Sequence, residues 1–331
     1  MTLLLIDGCE DFSSLVPANS PTVVAGRYQN GIRLTSTATT ARYQPQTAQE
    51  ADAATVGFAF RWTIQSATAV SILSLNSDAA ATQHTVVRLN VDGSISVMRA
   101  STVLFTTATG LVAPNVWYYL ELQVRLHDTL GVAALRLNGA AVGSQAGGDT
   151  KNAGTKTVYD TATWAGGTSS TVDIDDIYFA LASTTPDAFL GNLTVETLLP
   201  NGNGAVNQWT GMDGDSVDNY VYVDDTHPIS DTDYVYAATV GQQDLYTLGD
   251  LAHTTGTIVG VCHSARMLRT DAVTPMNVRV INHGAVDTKS AALPLATAYR
   301  SYDYVLTVNP ETGAAFTIAA VNGLQTGIEL A

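Results

Sequence analysis

The sequence is poor in charged residues, and basic residues are the scarcer kind. Only 14% of the 331 residues are charged, with 15 basic against 30 acidic side chains and a net charge of −15. Soluble proteins usually carry about 25% charged residues. A polyanion repels phosphate backbones, which excludes nucleic acid as a partner. Few charges also argue against salt-bridged helices and favour β-structure, in which threonine is well tolerated.

Cysteines and long apolar runs are also scarce. The two cysteines, Cys9 and Cys262, are too few for a disulfide framework, and two buried free thiols are expected. No run approaches the roughly 20 apolar residues of a membrane span, so no membrane insertion is expected. The opening residues 1–7 are apolar but lack the basic segment of a signal peptide, which predicts folding in a cytoplasm.

The sequence does contain many short alternating segments, separated by glycine, proline, asparagine and aspartate. Apolar residues make up 46%, enough for sizeable cores. No long segment shows a 3.6-residue repeat, and this pattern is typical of all-β sandwiches and barrels. The length suits about two domains. Turn-forming residues between 187 and 204 predict one domain over residues 1–190 and a smaller β-sandwich over 191–331.

Two segments of the first domain carry the clearest strand patterns. Val116–Leu126 alternates between an apolar and a polar face, and the apolar face is expected in a core. Thr85–Val97 is expected to form a hairpin. A three-residue loop would pair Val91 with Ile95 and keep the apolar side chains on one face, so this odd-length loop is predicted.

A third strand pattern changes phase within Val172–Leu181. The apolar positions switch parity near Asp175, which predicts a β-bulge there or cover on both faces. The apolar run Leu3–Ile6 is a candidate neighbour of this strand. In the second domain, the predicted strands are Tyr234–Val240, Thr257–Cys262, Met276–Ile281 and Phe316–Val321.

The order of Asn115–Val124, Val132–Gly139 and Val172–Phe179 resembles the second half of a laminin-G or concanavalin A-like jelly roll. The resemblance implies that the first domain, residues 1–190, has this fold. It also implies a binding site more readily than a catalytic one.

The carboxylates do not indicate catalysis. A glycosidase needs two carboxyl groups about 5–10 Å apart, one protonated and one ionised. No glutamate has another within four positions, and Glu121 stands alone. Glu10 and Asp11 are adjacent and would point to opposite faces of a strand. Since no nucleophile motif or metal-spaced histidine pair is present either, the chain is predicted not to be an enzyme.

Clustered aspartates are the candidates for a metal site. Calcium prefers groups of carboxylate and carbonyl oxygens, and Asp173, Asp175 and Asp176 supply such a group. A second group, Asp213, Asp215 and Asp218, is an alternative set. Neither matches the EF-hand pattern, and solvated acidic loops are the favoured explanation of both. Calcium is therefore the one cofactor for which the sequence offers candidate ligands.

Tryptophans are the candidates for sugar stacking, because aromatic faces suit the apolar surfaces of sugars. Trp164 is the residue chosen, with Trp62 and Trp209 as further candidates. Burial in a core or an interface is the commoner use of tryptophan and stands as the alternative.

Several short motifs resemble a family of tailed-bacteriophage virion proteins. Their order along the chain carries the resemblance. They are Ile6–Asp11 (IDGCED), Gly26–Leu34 (GRYQNGIRL), Asp175–Tyr178 (DDIY), Phe189–Pro200 (FLGNLTVETLLP), Trp209, Asp231–Val235, Asp244–Tyr246 and Asn309–Gly313. The family supplies no catalytic or binding residues to transfer.

The resemblance implies a structural component of a phage virion, in the tail, a fibre or the capsid exterior. Such a protein would be assembled in the host cytoplasm. Its partners would be other virion proteins, in a homo-oligomer or another symmetric assembly. The alternative function is an adhesin that recognises host-surface glycans, followed by a glycan-degrading enzyme.

Overall fold

The computed structural model describes residues 2–10, 12, 14–45, 49–64, 67–152, 156–226, 229–271 and 276–331. The chain divides into two compact units, one ending at Val195 and one running from Glu196 to Ala331. This division falls five residues after the predicted boundary, because the backbone N–H groups of Gly191 and Val195 donate to side chains of the first unit. Asp11, part of the opening motif, lies outside the described residues.

The first unit consists of β-strands joined by turns and loops. Its described strands are β1 (Thr2–Asp7), β2 (Val16–Ala18), β3 (Thr22–Ala25), β4 (Asn30–Leu34), β5 (Thr40–Tyr43), β6 (Ala53–Ile64), β7 (Val70–Ser77), β8 (Thr82–Leu89), β9 (Ile95–Arg99), β10 (Thr102–Thr106), β11 (Trp117–Arg125), β12 (Gly131–Leu137), β13 (Ala140–Gly148), β14 (Thr161–Ala165) and β15 (Thr171–Ala182).

These strands form two antiparallel sheets. The eight-stranded sheet has the order β13-β12-β11-β6-β15-β4-β3, with β1 also paired to β15. The seven-stranded sheet has the order β10-β9-β8-β7-β14-β5-β2. One core cluster contains inward side chains of both sheets, including Phe58 and Leu120 from the first and Leu75 and Val87 from the second. The all-β, sandwich-like fold predicted from the alternation is confirmed.

The strand patterns of the eight-stranded sheet follow the sequence closely. In β11, Leu120, Leu122 and Val124 lie in the core, as the alternation predicts. The pairing of β15 with β6 shifts register between Asp175 and Tyr178, which confirms the predicted bulge. The prediction that the N-terminal run neighbours this strand is also confirmed, since β1 pairs with β15.

The hairpin of β8 and β9 departs from its predicted register. Leu89 pairs with Ile95, so the loop has five residues rather than three. Its ends are closed by one backbone hydrogen bond, from the N–H of Asn90 to the carbonyl of Ser94. Asp92 accepts from both the backbone N–H and the hydroxyl of Ser94. The prediction was wrong because it assigned Val91 to the core, whereas Val91 is exposed in the loop. The observed register places Arg88 opposite Ser96.

The second unit is also mainly β. Its described strands are β16 (Pro200–Asn207), β17 (Thr210–Gly211), β18 (Val235–Tyr236), β19 (Gln243–Leu248), β20 (Val261–Met267), β21 (Asn277–His283), β22 (Thr288–Lys289), β23 (Leu293–Pro294), β24 (Arg300–Leu306) and β25 (Gln325–Leu330). The main sheet has the order β16-β19-β25-β21-β22, with β23 on β21, and β17-β18 and β20-β24 form two small sheets. Trp209, Val278, Val280, Tyr302 and Ile328 lie in its core.

Two short helices complete the second unit, a 3-10 helix at Asn219–Tyr222 and α1 at Ile318–Asn322. The segment Phe316–Val321 was predicted as a strand, which is wrong. The Thr317 side chain accepts from the backbone N–H of Ala320 and caps a helix at this point. Within the described residues, no helix is long and apolar enough to cross a membrane.

Candidate functional site

The outer face of the seven-stranded sheet carries rows of polar side chains. Core residues alternate with outward residues along each strand. Val87 and Val97 point into the core, so their neighbours Arg88 and Ser96 point outward. Directly opposite positions on adjacent strands give one row across β7, β8, β9 and β10. The row is Ser71, Arg88, Ser96 and Thr106.

A second row runs parallel to the first and crosses six strands. Opposite positions place Arg42, Thr163, Ser74, Val86, Met98 and Val103 side by side. One end of this row is polar and the other is apolar. Opposed Cβ atoms on neighbouring strands lie about 4.5–5.5 Å apart, so each row is a closely spaced line of side chains. We call the two rows together the polar face.

Hydrogen bonds fix the side chains around Arg88. The Nε of Arg88 donates to Asn90 Oδ1 at 3.2 Å. The Nδ2 of Asn90 donates to Ser94 Oγ at 2.9 Å and to Ser96 Oγ at 2.8 Å. Ser96 shares a 2.9 Å hydrogen bond with Thr106. The guanidinium therefore has a defined position, and its terminal Nη groups make no hydrogen bond to the described part of the chain.

The second row is held in the same way. Asn76 Nδ2 donates to Ser74 Oγ at 3.3 Å and to Thr163 Oγ1 at 3.4 Å. The Nη1 of Arg42 donates to the carbonyl of Ala79 at 3.3 Å. Ser71 and Thr106 are exposed, and Arg42, Ser74, Arg88 and Thr163 are partly exposed, so these six positions are accessible to solvent. Ser96, Val86 and Met98 are buried. Hydroxyl, amide and guanidinium groups on rigid strands can together bind a polar ligand in a fixed orientation.

The predicted calcium residues lie on the other sheet and already have protein partners. Asp173 is fully buried and accepts from the guanidinium groups of Arg33 and Arg61. Asp176 forms an ion pair with Arg27, with 2.8 Å between Nε and Oδ2, and accepts a hydrogen bond from the backbone N–H of Val195 at 2.6 Å. The structure therefore does not bring Asp173, Asp175 and Asp176 together as an open group of ligands.

Asp175 is buried beside other carboxyl groups, and both conditions disfavour its charged form. Its carboxylate accepts from the backbone N–H groups of Arg27 at 2.5 Å and Asp176 at 2.7 Å. Its pKa is raised to about 7, mainly by burial and also by the neighbouring Asp176 and Glu10 carboxyl groups. The side chain is therefore partly protonated at neutral pH.

The outer face of the eight-stranded sheet is covered by residues 187–195, which we call the cover segment. It pairs with none of the described strands. The ring of Phe189 lies 4.3 Å from the Arg136 guanidinium. The buried Glu121 accepts from Tyr178 at 2.7 Å and from Gly191 at 2.8 Å. This face is therefore occupied by the chain itself, whereas the polar face keeps exposed positions at Ser71, Val103 and Thr106.

The alternative calcium group differs from the first in the exposure of its carboxylates. Among the described residues, Asp213, Asp215 and Asp218 are the group whose carboxylate oxygens lie close enough together to hold one ion, and all three are exposed. Calcium binding stays a prediction for both aspartate groups.

Trp164 cannot stack on a sugar, and that prediction is corrected. Its side chain is fully buried in the core, where it packs edge-to-face against Phe58 with ring centroids 6.1 Å apart. Trp62 and Trp209 are also buried. The alternation of β14 points Ala162 and Trp164 inward and Thr163 outward, so the accessible residue is the threonine beside the tryptophan.

Arg42 and Arg88 are not among the site residues predicted from the sequence. One signal could have found them. Each is flanked by core residues, Ala41 and Tyr43 for Arg42 and Val87 and Leu89 for Arg88, and so must point outward from its strand. The cross-strand rows themselves depend on register, which the sequence did not predict for β8 and β9.

Comparison with known proteins identifies similar folds and no family. No family model and no curated protein matches the chain. The endo-β-1,4-glucuronan lyase of the fungus Trichoderma reesei is 11% identical, with a TM-score of 0.41 over 55% of this chain and 96% of the lyase. The binding domain of Paraclostridial Mosquitocidal Protein 1 is 11% identical, with a TM-score of 0.42 over 74% of this chain and 70% of that domain. The alginate lyase Aly36B is 9% identical, with a TM-score of 0.35 over 56% and 98%.

At these identities and TM-scores the likeness concerns the fold alone. It corrects the prediction that this chain is not an enzyme, which rested partly on the type of fold. Two of the three similar structures are lyases with a β fold of this kind. The type of fold is therefore no argument against catalysis.

Proposed function

We propose that the first unit binds carbohydrate through the polar face. The observation that carries this proposal is the row across β7, β8 and β10 in which Ser71 and Thr106 are exposed and Arg88 is partly exposed, with the buried Ser96 on β9 bonded to Thr106. Sugars present closely spaced hydroxyl groups that both donate and accept hydrogen bonds. Serine and threonine hydroxyls do the same, while guanidinium groups add fixed donors.

The second row supports the same ligand class. Its polar end, Arg42, Thr163 and Ser74, is followed by Val86, Met98 and Val103. Binding sites for small molecules combine apolar contacts with a few placed polar groups. Val86 and Met98 are buried, so the C–H face of a sugar can contact only Val103 at the apolar end, and its hydroxyl groups fit the polar end.

Glycan recognition was the alternative to a structural role in a phage virion. The polar face supports the alternative. The virion role stays a prediction, which mass spectrometry of purified particles would test.

The test is a glycan array probed with the full-length protein and two tyrosine variants. Ser74→Tyr places a bulky ring at the centre of the polar face. Ser144→Tyr makes the same change at an exposed strand serine of β13 in the other sheet. We expect the wild type and Ser144→Tyr to bind the same glycans and Ser74→Tyr to bind none.

Two results would contradict the proposal: an array on which the wild type binds nothing, or equal binding by the Ser74→Tyr variant. Chromatography of the same glycans after incubation would show whether the bound sugar is also cleaved.

A further inference from the structure

We propose that the glycan is acidic, with a negatively charged oxygen group bound by Arg88. This inference rests on the proposed function and names its ligand class. It starts from how charge is distributed between the two sheets. The described strands of the seven-stranded sheet contain Arg42, Arg88 and Arg99 and no acidic residue. In a chain with twice as many acids as bases, the strands of this sheet carry only positive formal charges, of which Arg99 is paired with Asp149 in a loop.

The ion pairs of the first unit set Arg42 and Arg88 apart. Five other arginines contact an aspartate, and they are Arg27, Arg33, Arg61, Arg99 and Arg125. Both lysines of the unit are also paired, and Arg136 lies over the Phe189 ring. Arg42 and Arg88 have no carboxylate within 4.0 Å in the described chain. Among the described cations of this unit, they are the two that contact neither a carboxylate nor an aromatic ring.

The geometry of Arg88 suits an oxyanion. Its Nε is used by Asn90, whereas the Nη groups remain available, and guanidinium groups bind carboxylates and other oxyanions through parallel N–H donors. Asn90 is itself fixed by Ser94 and Ser96. Little side-chain entropy is then lost on binding, which favours affinity.

The position of Arg42 indicates an oligosaccharide. Arg42 and Arg88 are separated by β14 and β7, so three strand spacings of about 4.8 Å place them roughly 14 Å apart across the sheet. One monosaccharide cannot contact both. Thr163 and Ser74 lie between the strands of the two arginines and can contact the intervening sugar. A chain of sugars with repeated negative charges can therefore bind both guanidinium groups.

The net charge of −15 does not prevent this. At physiological salt the Debye length is about 8 Å, so exposed charges elsewhere on the molecule are largely screened at the polar face. The two arginines act over hydrogen-bond distances.

The experiment is calorimetric titration of the full-length protein with three oligosaccharide probes. The probes are a uronic-acid oligosaccharide, its carboxyl-reduced neutral counterpart and a sulfated oligosaccharide of similar length. We expect an acidic probe to bind at least about tenfold more tightly than the neutral one, as charge-assisted hydrogen bonds require. The uronate and sulfate arms identify which oxyanion Arg88 receives.

Three variants assign the effect to Arg88. Arg88→Ala is expected to weaken binding of the acidic probe at least about tenfold, so that its affinity equals that of the neutral probe. Arg88→Lys keeps the charge but loses the paired donors, so it should recover only part of the affinity. Lys156→Ala removes a positive charge outside the sheet and should leave the affinity for each probe unchanged.

The outcomes separate the two proposals. If the neutral probe binds as tightly as both acidic probes, the acidic-glycan inference fails and carbohydrate binding stands. If none of the three probes binds and the array is also blank, carbohydrate binding fails as well. Equal binding of the acidic probe by Arg88→Ala and the wild type would also overturn the role of Arg88.

Discussion

Replacing Asp175 by asparagine is expected to stabilise the first unit at alkaline pH and not at acidic pH. Asp175 is buried and lies close to Asp176 and Glu10. Burial is the main cause of its raised pKa, and the two neighbouring carboxyl groups add to it. An asparagine has nearly the same shape and cannot ionise.

The sign of the effect follows from the direction of the shift. A carboxyl whose pKa is raised on folding, here from 3.8 to about 7, stabilises the fold while it is protonated. That contribution is fully present below pH 3.8 and is lost as the pH rises through 7. A shift of about 3 pKa units corresponds to an upper value of about 4 kcal/mol at 1.36 kcal/mol per unit.

The substitution also disturbs one hydrogen bond. The two carboxylate oxygens accept from the backbone N–H groups of Arg27 and Asp176, and an amide NH₂ cannot accept the second bond. Leaving such a donor unsatisfied costs about 1–3 kcal/mol. The net gain at pH 9 is then about 1–3 kcal/mol, or several degrees in Tm. At pH 4 the wild-type side chain is already neutral, so the variant should be equal or less stable.

Differential scanning calorimetry of the full chain at pH 4 and pH 9 measures both values. Asp128→Asn is the matched control, because Asp128 is 72% exposed, and it should shift Tm little at either pH. If the Tm difference between Asp175→Asn and the wild type were the same at both pH values, the electrostatic account of this site would be refuted.

Two further predictions concern other buried groups. Burial lowers the pKa of His263 to about 4, against the opposing effect of its hydrogen bond with Asn282. The stability that the neutral ring contributes is complete above pH 6.5 and falls by about 3 kcal/mol as the pH drops to 4. Urea unfolding at pH 7 and 4.5 should show a smaller pH effect in His263→Gln. Trp164→Phe should lower the unfolding free energy by on the order of 1–3 kcal/mol and leave the glycan affinity of the folded protein unchanged. Reduced glycan affinity in titrations below Tm would contradict the assignment of Trp164 to the core.

The sequence predicted the parts of the fold that depend on alternation. Which face of β11 is buried follows from the period of two, and the bulge in β15 follows from the change of parity at Asp175. The loop of β8 and β9 could not be predicted in this way. Its register depends on the bonds that Asn90 and Asp92 make with Ser94, and these compete with the burial of Val91.

The site was harder to predict than the fold. Trp164 was chosen by residue type, although a strand that alternates Thr-Ala-Thr-Trp-Ala does not reveal which face is buried. Arg88 is an outward residue whose surroundings come from three other strands. The partners of Asp173 and Asp176 are arginines more than 100 positions away in sequence. Such contacts depend on the whole sheet order, which local patterns do not contain.

The location of a bound glycan tests the central claim most directly. A crystal structure of the full-length protein with an acidic oligosaccharide would provide it. The account predicts sugar oxygens within hydrogen-bond distance of Arg88 and the Ser71 or Thr106 hydroxyls, with the chain extending towards Arg42. A glycan bound only on the eight-stranded sheet or on the second unit would contradict it.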